Sequence, residues 1–260
     1  MELIDTHCHL TFEQLACQVD AVIERSIAAG VTGWITVGTD SQENRKAVDL
    51  AERFDNMYAA VGVHPHEAKD FTAETIAELK ELAANEKVLA VGETGLDFHY
   101  NFSSQADQRR AFAAQLKIAR ELNLPAIIHC REAFADVMDI LDQFIGSEGR
   151  LRAVVFHCFS GTAEQARIVL NHGFYISLTG VVTFKNADEI RRAAEIVSTD
   201  RLMLETDCPY MSPEPMRKQK INEPALMIHT ARHLAEVKGM DPADFAEAVT
   251  ATSKSFFGLG

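Results

Sequence analysis

The chain has 260 residues, and 47% of them are hydrophobic, enough for the core of one large α/β domain. Its formal net charge of −13 disfavours broad electrostatic wrapping of nucleic acid or of an anionic membrane, but remains compatible with a locally positive cleft. The five cysteines, an odd number without framework spacing, favour a reducing compartment over structural disulfides.

The composition predicts a soluble, cytoplasmic protein. Glu2 and Asp5 interrupt any apolar run at the start of the chain, so we expect no signal peptide. No stretch approaches the ~20 consecutive apolar residues of a membrane span. We therefore expect a protein that does not enter the membrane. We also expect a monomer.

Short apolar strands and helical segments alternate along the chain. The apolar runs predict eight strands, at residues 2–4, 33–38, 57–63, 88–92, 125–128, 153–156, 174–178 and 202–204. Apolar residues at helical spacing predict nine helices, at residues 12–29, 41–54, 72–84, 104–122, 133–145, 163–171, 187–197, 224–238 and 242–256. Residues 94–102 and 208–222 are predicted to be longer irregular segments.

This alternation is typical of a (β/α)8 barrel, or TIM barrel, here with additional C-terminal helices. Short continuous apolar runs fit strands that are covered on both faces. The alternative is an open doubly wound sheet, but no Gly-rich phosphate-binding fingerprint follows the first strand. Because the sequence contains no obvious linker, residues 1–260 are predicted to form a single domain.

Histidines and carboxylates mark six of the eight predicted strand ends, and the active site of such barrels lies at the C-terminal ends of the strands. These residues are His7 and His9, His64, Glu93, His129, His157 and Asp207. Residues i and i+2 of an extended chain face the same side, so His7 and His9 can aim two imidazole nitrogens at one cation. Each residue alone also fits a helix cap or a buried histidine, but the set favours a metal site.

The number of candidate ligands suggests two cations. Four imidazoles and two carboxylates exceed the three protein ligands of a typical catalytic zinc. Glu93 can bridge two ions through its two oxygens, and Asp207 is a candidate ligand and a candidate orienter, or base, for the attacking water. Two cations ~3.5–4 Å apart can stabilise both the attacking and the leaving oxygen of an in-line displacement. Mixed nitrogen and oxygen ligands suit Zn, Mn or Co, with Mg least favoured by the imidazoles.

Four cysteines sit beside these polar residues, which raises the alternative of a cysteine-rich zinc site. They are Cys8, Cys130, Cys158 and Cys208. Because the neighbour of an inward-facing strand residue faces the other way, we expect them to act as small buried hydrophobes.

Seven short segments, in chain order, resemble the TatD-type metal-dependent deoxyribonucleases. They are DTHCHL (5–10), GVHP (62–65), GETGLD (92–97), HCR (129–131), HCFSG (157–161), ETDCPY (205–210) and KINEP (220–224). The resemblance implies a TIM-barrel hydrolase of the amidohydrolase-like superfamily. Its implied activity is cleavage of nucleic-acid phosphodiesters, commonly as a 3′-to-5′ exonuclease on single-stranded DNA or RNA.

The same resemblance implies a division of the ligands between two ions. One ion would be held by His7, His9, Glu93 and Asp207. The other would be held by Glu93, His129 and His157. His64 would line the pocket and contact a phosphate oxygen or assist proton transfer.

Several residues near these ends are candidates for binding the substrate. Arg131 is predicted to pair with a phosphate, or else to form a salt bridge with Glu132 or with a loop carboxylate. Lys220 and Asn222, in the segment after the last strand, are predicted to hold a phosphate, or else to form a solvated loop. Lys220 also belongs to a basic run with Arg217 and Lys218 that is suited to steering an anionic substrate.

The segment after Glu93 is rich in rings. Its members Phe98, His99, Tyr100 and Phe102 are predicted to form a platform for unstacked bases, or else to pack as a lid. Asp97 is predicted to orient a ligand as a hydrogen-bond acceptor, or else to cap the loop. The remaining histidines, including His66, are predicted to be surface or packing residues.

Two other functions compete with the nuclease. One is an amidohydrolase or esterase acting on a cyclic amide or on a D-aminoacyl-tRNA ester. Amidohydrolases often bridge their two ions with a carbamylated lysine, and this chain has Glu93 at that place, which argues against that subtype. The other is a non-enzymatic metal-binding or scaffolding protein, which the complete ligand set disfavours.

Overall fold

A computed structural model describes residues 2–100 and 102–260, and its eight strands form one sheet in chain order. The strands are β1 Leu3–Cys8, β2 Val31–Val37, β3 Met57–Val61, β4 Val88–Asp97, β5 Ala126–Arg131, β6 Val154–Phe156, β7 Tyr175–Leu178 and β8 Leu202–Leu204. Neighbouring strands pair in parallel.

Helices connect successive strands and extend the chain after the last one. They are α1 Glu13–Ala16, α2 Val19–Ala28, α3 Ser41–Glu52, α4 Ala73–Leu82, α5 Gln105–Glu121, α6 Phe134–Glu148, α7 Ala163–Asn171, α8 Asp188–Ile196, α9 Met227–Lys238 and α10 Pro242–Phe257. Short 3-10 helices lie at Pro65–Asp70, Gly180–Thr183, Thr199–Arg201 and Pro224–Leu226. Eight parallel strands in chain order with helices between them make the fold a TIM barrel with C-terminal helices, as predicted.

The chain divides into two compact units. The first contains the residues up to Thr36 together with Cys158–Gly260, and the second contains Val37–His157. The single domain over residues 1–260 stays a prediction.

In the first unit, β1 lies between β2 and the segment that contains β8. Leu3 pairs with Val31 and Cys8 pairs with Thr36 in the β1–β2 register. On the other side, the Thr6 hydroxyl donates to the Leu204 carbonyl over 2.9 Å. Strand β1 is therefore fixed along its whole length, including the part that carries His7.

In the second unit, buried glutamines of α5 complete the hydrogen bonds of two strand ends. The Gln115 side chain accepts from the Val63 amide (2.7 Å) and donates to the Val63 carbonyl (3.0 Å). The Gln108 side chain does the same for Asp97, at 2.8 and 3.0 Å. These bonds fix the backbone beside His64 and at the end of β4.

Three strands extend further at their C-terminal ends than the sequence predicts, and one of them, β5, continues to Arg131 instead of ending at residue 128. β1 continues to Cys8 and β4 continues to Asp97, so the beginning of the predicted irregular segment 94–102 is strand. The three extensions contain polar residues, and that of β4 also contains Gly95. They resemble a loop in composition although parallel pairing continues through β4 and β5, as between Gly95 and His129.

The helix predicted at residues 12–29 is two helices, α1 and α2. Gln18 has φ −136° and ψ 24°, which is not helical, so the chain breaks there without a glycine or proline to announce it. The other predicted elements occur with shifts of a few residues at their ends. Among residues 2–100 and 102–260, no helix is long and apolar enough to span a bilayer.

Candidate metal centre

Three predicted ligands meet in the first unit, at the ends of β1 and β8. His7 lies in β1, His9 follows it directly, and Asp207 follows β8. The Nε2 atoms of the two histidines are 3.3 Å apart. Asp207 Oδ1 lies 3.3 Å from His9 Nε2 and 3.8 Å from His7 Nε2. These buried residues are called the β1–β8 cluster.

The geometry of the β1–β8 cluster fits a single divalent cation. Ligand atoms bound tetrahedrally at ~2.0–2.1 Å from an ion lie roughly 3.3–3.4 Å from one another. The observed separations are close to this value, and the donors are two imidazoles and one carboxylate, which suit Zn, Mn or Co. Cys8 faces away from the cluster, and its thiol donates to the Ile35 carbonyl over 3.3 Å. Cys8 and Cys208 are buried, as predicted, whereas Cys130 and Cys158 are only partly buried.

Backbone contacts hold Asp207 beside His7. The Asp207 amide donates to the His7 carbonyl over 2.9 Å. Asp207 has φ 52°, in the left-handed region that aspartate adopts more readily than most residues. The side chain of Asp207 is therefore directed by a local turn at the end of β8.

Asp5 supports this turn and was not singled out in the sequence. Its carboxylate accepts from the Thr206 amide (2.9 Å) and from the Thr206 hydroxyl (2.6 Å). Burial raises the pKa of Asp5 to about 7, although the bonds from Thr206 act in the opposite direction. Asp5 lies two residues before His7 on the same strand face, and this period of two was the signal that could have revealed it.

A second group of predicted ligands meets in the second unit around Glu93. Glu93 Oε1 lies 2.6 Å from His129 Nδ1 and 2.6 Å from His157 Nε2. His64 Nε2 is 3.5 Å from the same oxygen. These four residues are called the β4–β5 cluster, after the strands that carry Glu93 and His129.

The β4–β5 cluster fits a cation by its charge and its donors. Burial opposes ionisation of Glu93, but the imidazoles of His157, His64 and His129 outweigh it and hold the glutamate pKa well below its usual range. A buried, charged carboxylate facing imidazole nitrogens is a donor set for a divalent cation.

Asp97 orients His129 from the other side of the imidazole ring. Its Oδ2 lies 3.1 Å from His129 Nε2, while Nδ1 of the same ring faces Glu93. Although burial opposes protonation, the bonds to Asp97 and Glu93 raise the pKa of His129. Asp97 also accepts from the backbone amides of His99 and Tyr100. It therefore performs both predicted tasks, since it orients a candidate ligand and caps the following loop.

His64 presents a hydrogen-bond donor to the β4–β5 cluster. Its Nδ1 accepts from the His66 amide over 3.1 Å. Burial is the largest cause that lowers the pKa of His64, to about 4, so the ring is neutral at pH 7. In a neutral ring whose Nδ1 is an acceptor, Nε2 carries the proton. This tautomer suits donation to a phosphate oxygen better than metal ligation.

His66 belongs to the site, although the sequence suggested a surface or packing role. Its Nε2 lies 3.0 Å from Asp97 Oδ2, and its ring is 4.3 Å from that of His64. The motif HPH that contains it could have indicated this, because the 3-10 helix beginning at Pro65 folds His66 back towards the strand end.

The candidate substrate-binding residues have other contacts. The exposed Arg131 guanidinium lies 4.8 Å from the centre of the Tyr100 ring. Lys220 is exposed, and Asn222 is fully buried. The Asn222 amide donates to the carbonyls of Thr206 and Tyr210, so it holds the segment after β8. Substrate contact by Arg131, Lys220 and Asn222 stays a prediction.

Comparison with known proteins places these features in a family. The sequence matches the family described as TatD related DNase over residues 4–258. The metal-dependent hydrolase YabD of Bacillus subtilis is 42% identical over 257 residues, with 98% of each chain covered. The 3′-5′ ssDNA/RNA exonuclease TatD of Escherichia coli K12 is 37% identical over 261 residues, with 99% of each chain covered.

Solved structures agree with the sequence matches. The crystal structure of the TatD homologue YJJV from Escherichia coli K12 has a TM-score of 0.92 and 28% identity, over 99% of this chain and 98% of that one. A TatD family hydrolase from Entamoeba histolytica shares the fold, with a TM-score of 0.89 and 23% identity over 100% and 99% of the two chains.

These matches confirm two predictions from the sequence: the resemblance to the TatD-type deoxyribonucleases and the assignment to the metal-dependent hydrolases of ester bonds. The matched residues run through nearly the whole chain and include both clusters. The chain belongs to the TatD-related DNase family.

Proposed function

We propose that this protein is a metal-dependent exonuclease that removes nucleotides from the 3′ ends of single-stranded DNA or RNA. The observation that carries the proposal is the presence of two clusters of buried or partly buried residues, each with a carboxylate that faces imidazole nitrogens within 4 Å. The name of the 37% identical Escherichia coli relative, a 3′-5′ exonuclease on ssDNA and RNA, supports the substrate class.

We propose two divalent cations, one at each cluster, drawn from Mn, Zn, Co or Mg. When bound, they would acidify the attacking water and neutralise the charge that develops on the phosphate. His7, His9 and Asp207 would hold the first. Glu93, His129 and His157 would hold the second. Sharing of Glu93 between both ions rests on the family resemblance.

The residues of the clusters have distinct tasks in the proposed hydrolysis. A carboxylate oxygen of Asp207 accepts the proton of the attacking water as the water oxygen bonds to phosphorus. The bond from phosphorus to the leaving sugar oxygen breaks, and that oxygen takes up a proton from solvent water, to which Asp207 later returns the proton that it accepted. The Nε2–H of His64 donates to a phosphate oxygen and stabilises its added charge. Arg131 and Lys220 are proposed to contact neighbouring phosphates.

A time course on labelled oligonucleotides tests the proposal. Single-stranded DNA and RNA carrying a 5′ label are incubated with the protein and Mg, Mn or Zn in turn. We expect a ladder that shortens by one nucleotide at a time from the 3′ end. Hydrolysis of a cyclic amide or a D-aminoacyl-tRNA ester without any oligonucleotide cleavage would instead favour the amidohydrolase or esterase. Binding without cleavage in every metal would favour a non-enzymatic role.

We further propose that the protein acts as a monomer in the cytoplasm. The odd number of cysteines in the chain supports a reducing compartment. The acidic net charge is compatible with a substrate that is bound locally, at the clusters and at the basic run of Arg217, Lys218 and Lys220.

A further inference from the structure

We propose that Tyr100 and Phe102, with Arg131 beside them, form a platform that binds one unstacked nucleobase of the substrate strand. These three residues are called the aromatic platform. The inference rests on the proposed nuclease function and specifies how that function selects single strands. It resolves the alternative between base stacking and lid packing that the sequence leaves open.

The two rings of the aromatic platform are parallel and exposed. Their planes differ by 1°, and their centroids are 5.6 Å apart. Tyr100 is 41% exposed and Phe102 is 60% exposed. The guanidinium of Arg131 lies 4.8 Å from the centre of the Tyr100 ring and adds a positive charge. The exposed parts of these rings, next to a cation, can stack on any nucleobase, since every base has a π face.

Packing as a lid would bury these rings. The remaining phenylalanine of the segment, Phe98, is only partly exposed and lies beneath the guanidinium of Arg109, 5.2 Å from the ring centroid. The segment thus divides its rings between packing at Phe98 and exposure at Tyr100 and Phe102. The exposed pair is the part available to a ligand.

The imidazole of His66 lies between the rings of the aromatic platform and the β4–β5 cluster. The centroid of the His66 ring is 4.9 Å from that of Phe102 and 5.6 Å from that of Tyr100. The same His66 ring is 4.3 Å from His64, which in turn is 4.6 Å from His129. A sugar can bridge this interval, so a base on the platform places its phosphate near the Nε2–H of His64.

Asp97 fixes the platform relative to the candidate ligand His129. One carboxylate oxygen, Oδ1, accepts from the amides of His99 (3.0 Å) and Tyr100 (2.8 Å). The other oxygen, Oδ2, lies 3.1 Å from His129 Nε2 and 3.0 Å from His66 Nε2. Base binding and phosphate positioning are thus joined through a single side chain.

A binding measurement without cleavage tests the platform directly. Single-stranded DNA with a 3′-terminal 2-aminopurine is titrated with the protein in the presence of a chelator, and fluorescence quenching reports stacking of that base. We expect quenching with the unaltered protein and about 10-fold weaker binding with the double variant Tyr100→Ala and Phe102→Ala. The conservative exchanges Tyr100→Phe and Phe102→Tyr should retain the quenching.

The matched control is Tyr58→Ala. Tyr58 also lies near a cation, Lys87 Nζ at 5.1 Å, but near the beginning of β3 rather than at a strand end that carries the clusters. It should bind as the unaltered protein does. If the double variant does not fold, Phe102→Ala alone removes the more exposed ring, and thermal unfolding shows whether that variant is intact.

Kinetics then separate base recognition from general damage. The unaltered protein should prefer a substrate with a normal 3′-terminal nucleotide over one whose terminal residue is abasic. In the double variant this preference, measured as the ratio of the two kcat/KM values, should fall by about 10-fold because KM for the normal substrate rises. Unchanged quenching and preference, or an equal loss on both substrates, would overturn the platform. If the unaltered protein cleaves neither substrate, the nuclease proposal fails and the quenching result decides the platform alone.

Discussion

Glu93 and Asp207 are the carboxylates that face imidazole nitrogens in the two clusters, and both are buried. A buried carboxylate is costly unless a positive charge or hydrogen bonds compensate it. In the β4–β5 cluster the compensation comes from imidazoles, and a cation held by these imidazoles would add its own positive charge. We therefore predict that each of these two side chains is needed both for metal binding and for activity.

Removal of either carboxylate should abolish most of the activity. Glu93→Ala and Asp207→Asn are each expected to lower nuclease activity by about 100-fold or more, because even partners of metal ligands cost ~10–100-fold when they are altered. Cleavage of end-labelled single-stranded DNA measures this loss, and circular dichroism checks the fold. Glu86→Ala is the matched control, since Glu86 is exposed and precedes β4. Full activity in either cluster variant would contradict the assignment.

Asp97 should act on the metal through His129. Asp97→Asn keeps the size of the side chain but removes the charge that orients the imidazole, so metal affinity should fall by about 10–100-fold. Titration calorimetry with Mn or Zn measures the affinity. Asp55→Asn, at an exposed carboxylate before β3, should bind metal normally. Equal affinities for the two variants would show that Asp97 does not position His129.

Metal binding should release a proton from His129. Because carboxylates face both of its ring nitrogens, its pKa is raised, and the metal-free imidazole keeps its proton above the usual value of ~6.5. A cation must displace the proton on Nδ1, so affinity should weaken as pH falls, by up to about tenfold per pH unit. Calorimetry at pH 7 in buffers of different ionisation enthalpy counts the protons. Release of no proton would contradict this protonation state.

The sequence revealed the candidate ligands because each follows an apolar run, but it did not reveal their supports. Asp5 and His66 act through hydrogen bonds to Thr206 and to Asp97. Such partners are joined by tertiary structure, and no spacing in the chain specifies them. The buried amide of Asn222 donates to two backbone carbonyls, a structural task that the sequence did not indicate, and its predicted contact with a phosphate stays a prediction. A short motif thus indicates which residue is important, but it does not indicate which contacts that residue makes in the folded protein.

At the scale of elements, the strand ends differ most from the sequence prediction. The apolar centres of all eight strands were recognisable, whereas the polar extensions of β1, β4 and β5 were not. The extensions carry His7 and Glu93. Polar candidate ligands therefore occupy strand positions at which apolar residues would have indicated a strand. Pairing of β4 with β5 continues nonetheless, with Gly95 opposite His129.

Gly95 should be essential for the close approach of β4 to β5. A Cβ on this residue would lie 2.0 Å from the His129 carbonyl oxygen, and its φ of +140° strains any other residue. Gly95→Ala should destabilise the protein by about 1–3 kcal/mol. It should also displace His129. Denaturant unfolding measures the stability change.

The control for this substitution is Gly146→Ala. Gly146 lies inside α6, and nothing lies within 4 Å of an added Cβ. Alanine there should raise stability by about 0.5–1 kcal/mol, because glycine is unfavourable within helices. If both alanine variants changed stability in the same direction, the close approach at Gly95 would not be the limiting contact.

At the scale of the whole molecule, the order of strands and helices followed from the sequence because apolar runs and helical spacing alternate without a break in pattern. The division of the helix at residues 12–29 could not be foreseen, since Gln18 leaves the helical conformation without a proline or glycine. The clusters also explain how a chain with a net charge of −13 can act on an anionic substrate. An acidic chain that acts on an anionic polymer requires local positive charge, and bound cations would supply it.

Anomalous diffraction from crystals grown with Mn²⁺ tests most directly whether the two clusters are cation sites. We expect one anomalous peak among His7, His9 and Asp207, and another among Glu93, His129 and His157. In crystals of Glu93→Ala the second peak should disappear. Absence of both peaks from the unaltered protein, or peaks only at other residues, would contradict the assignment of one cation to each cluster.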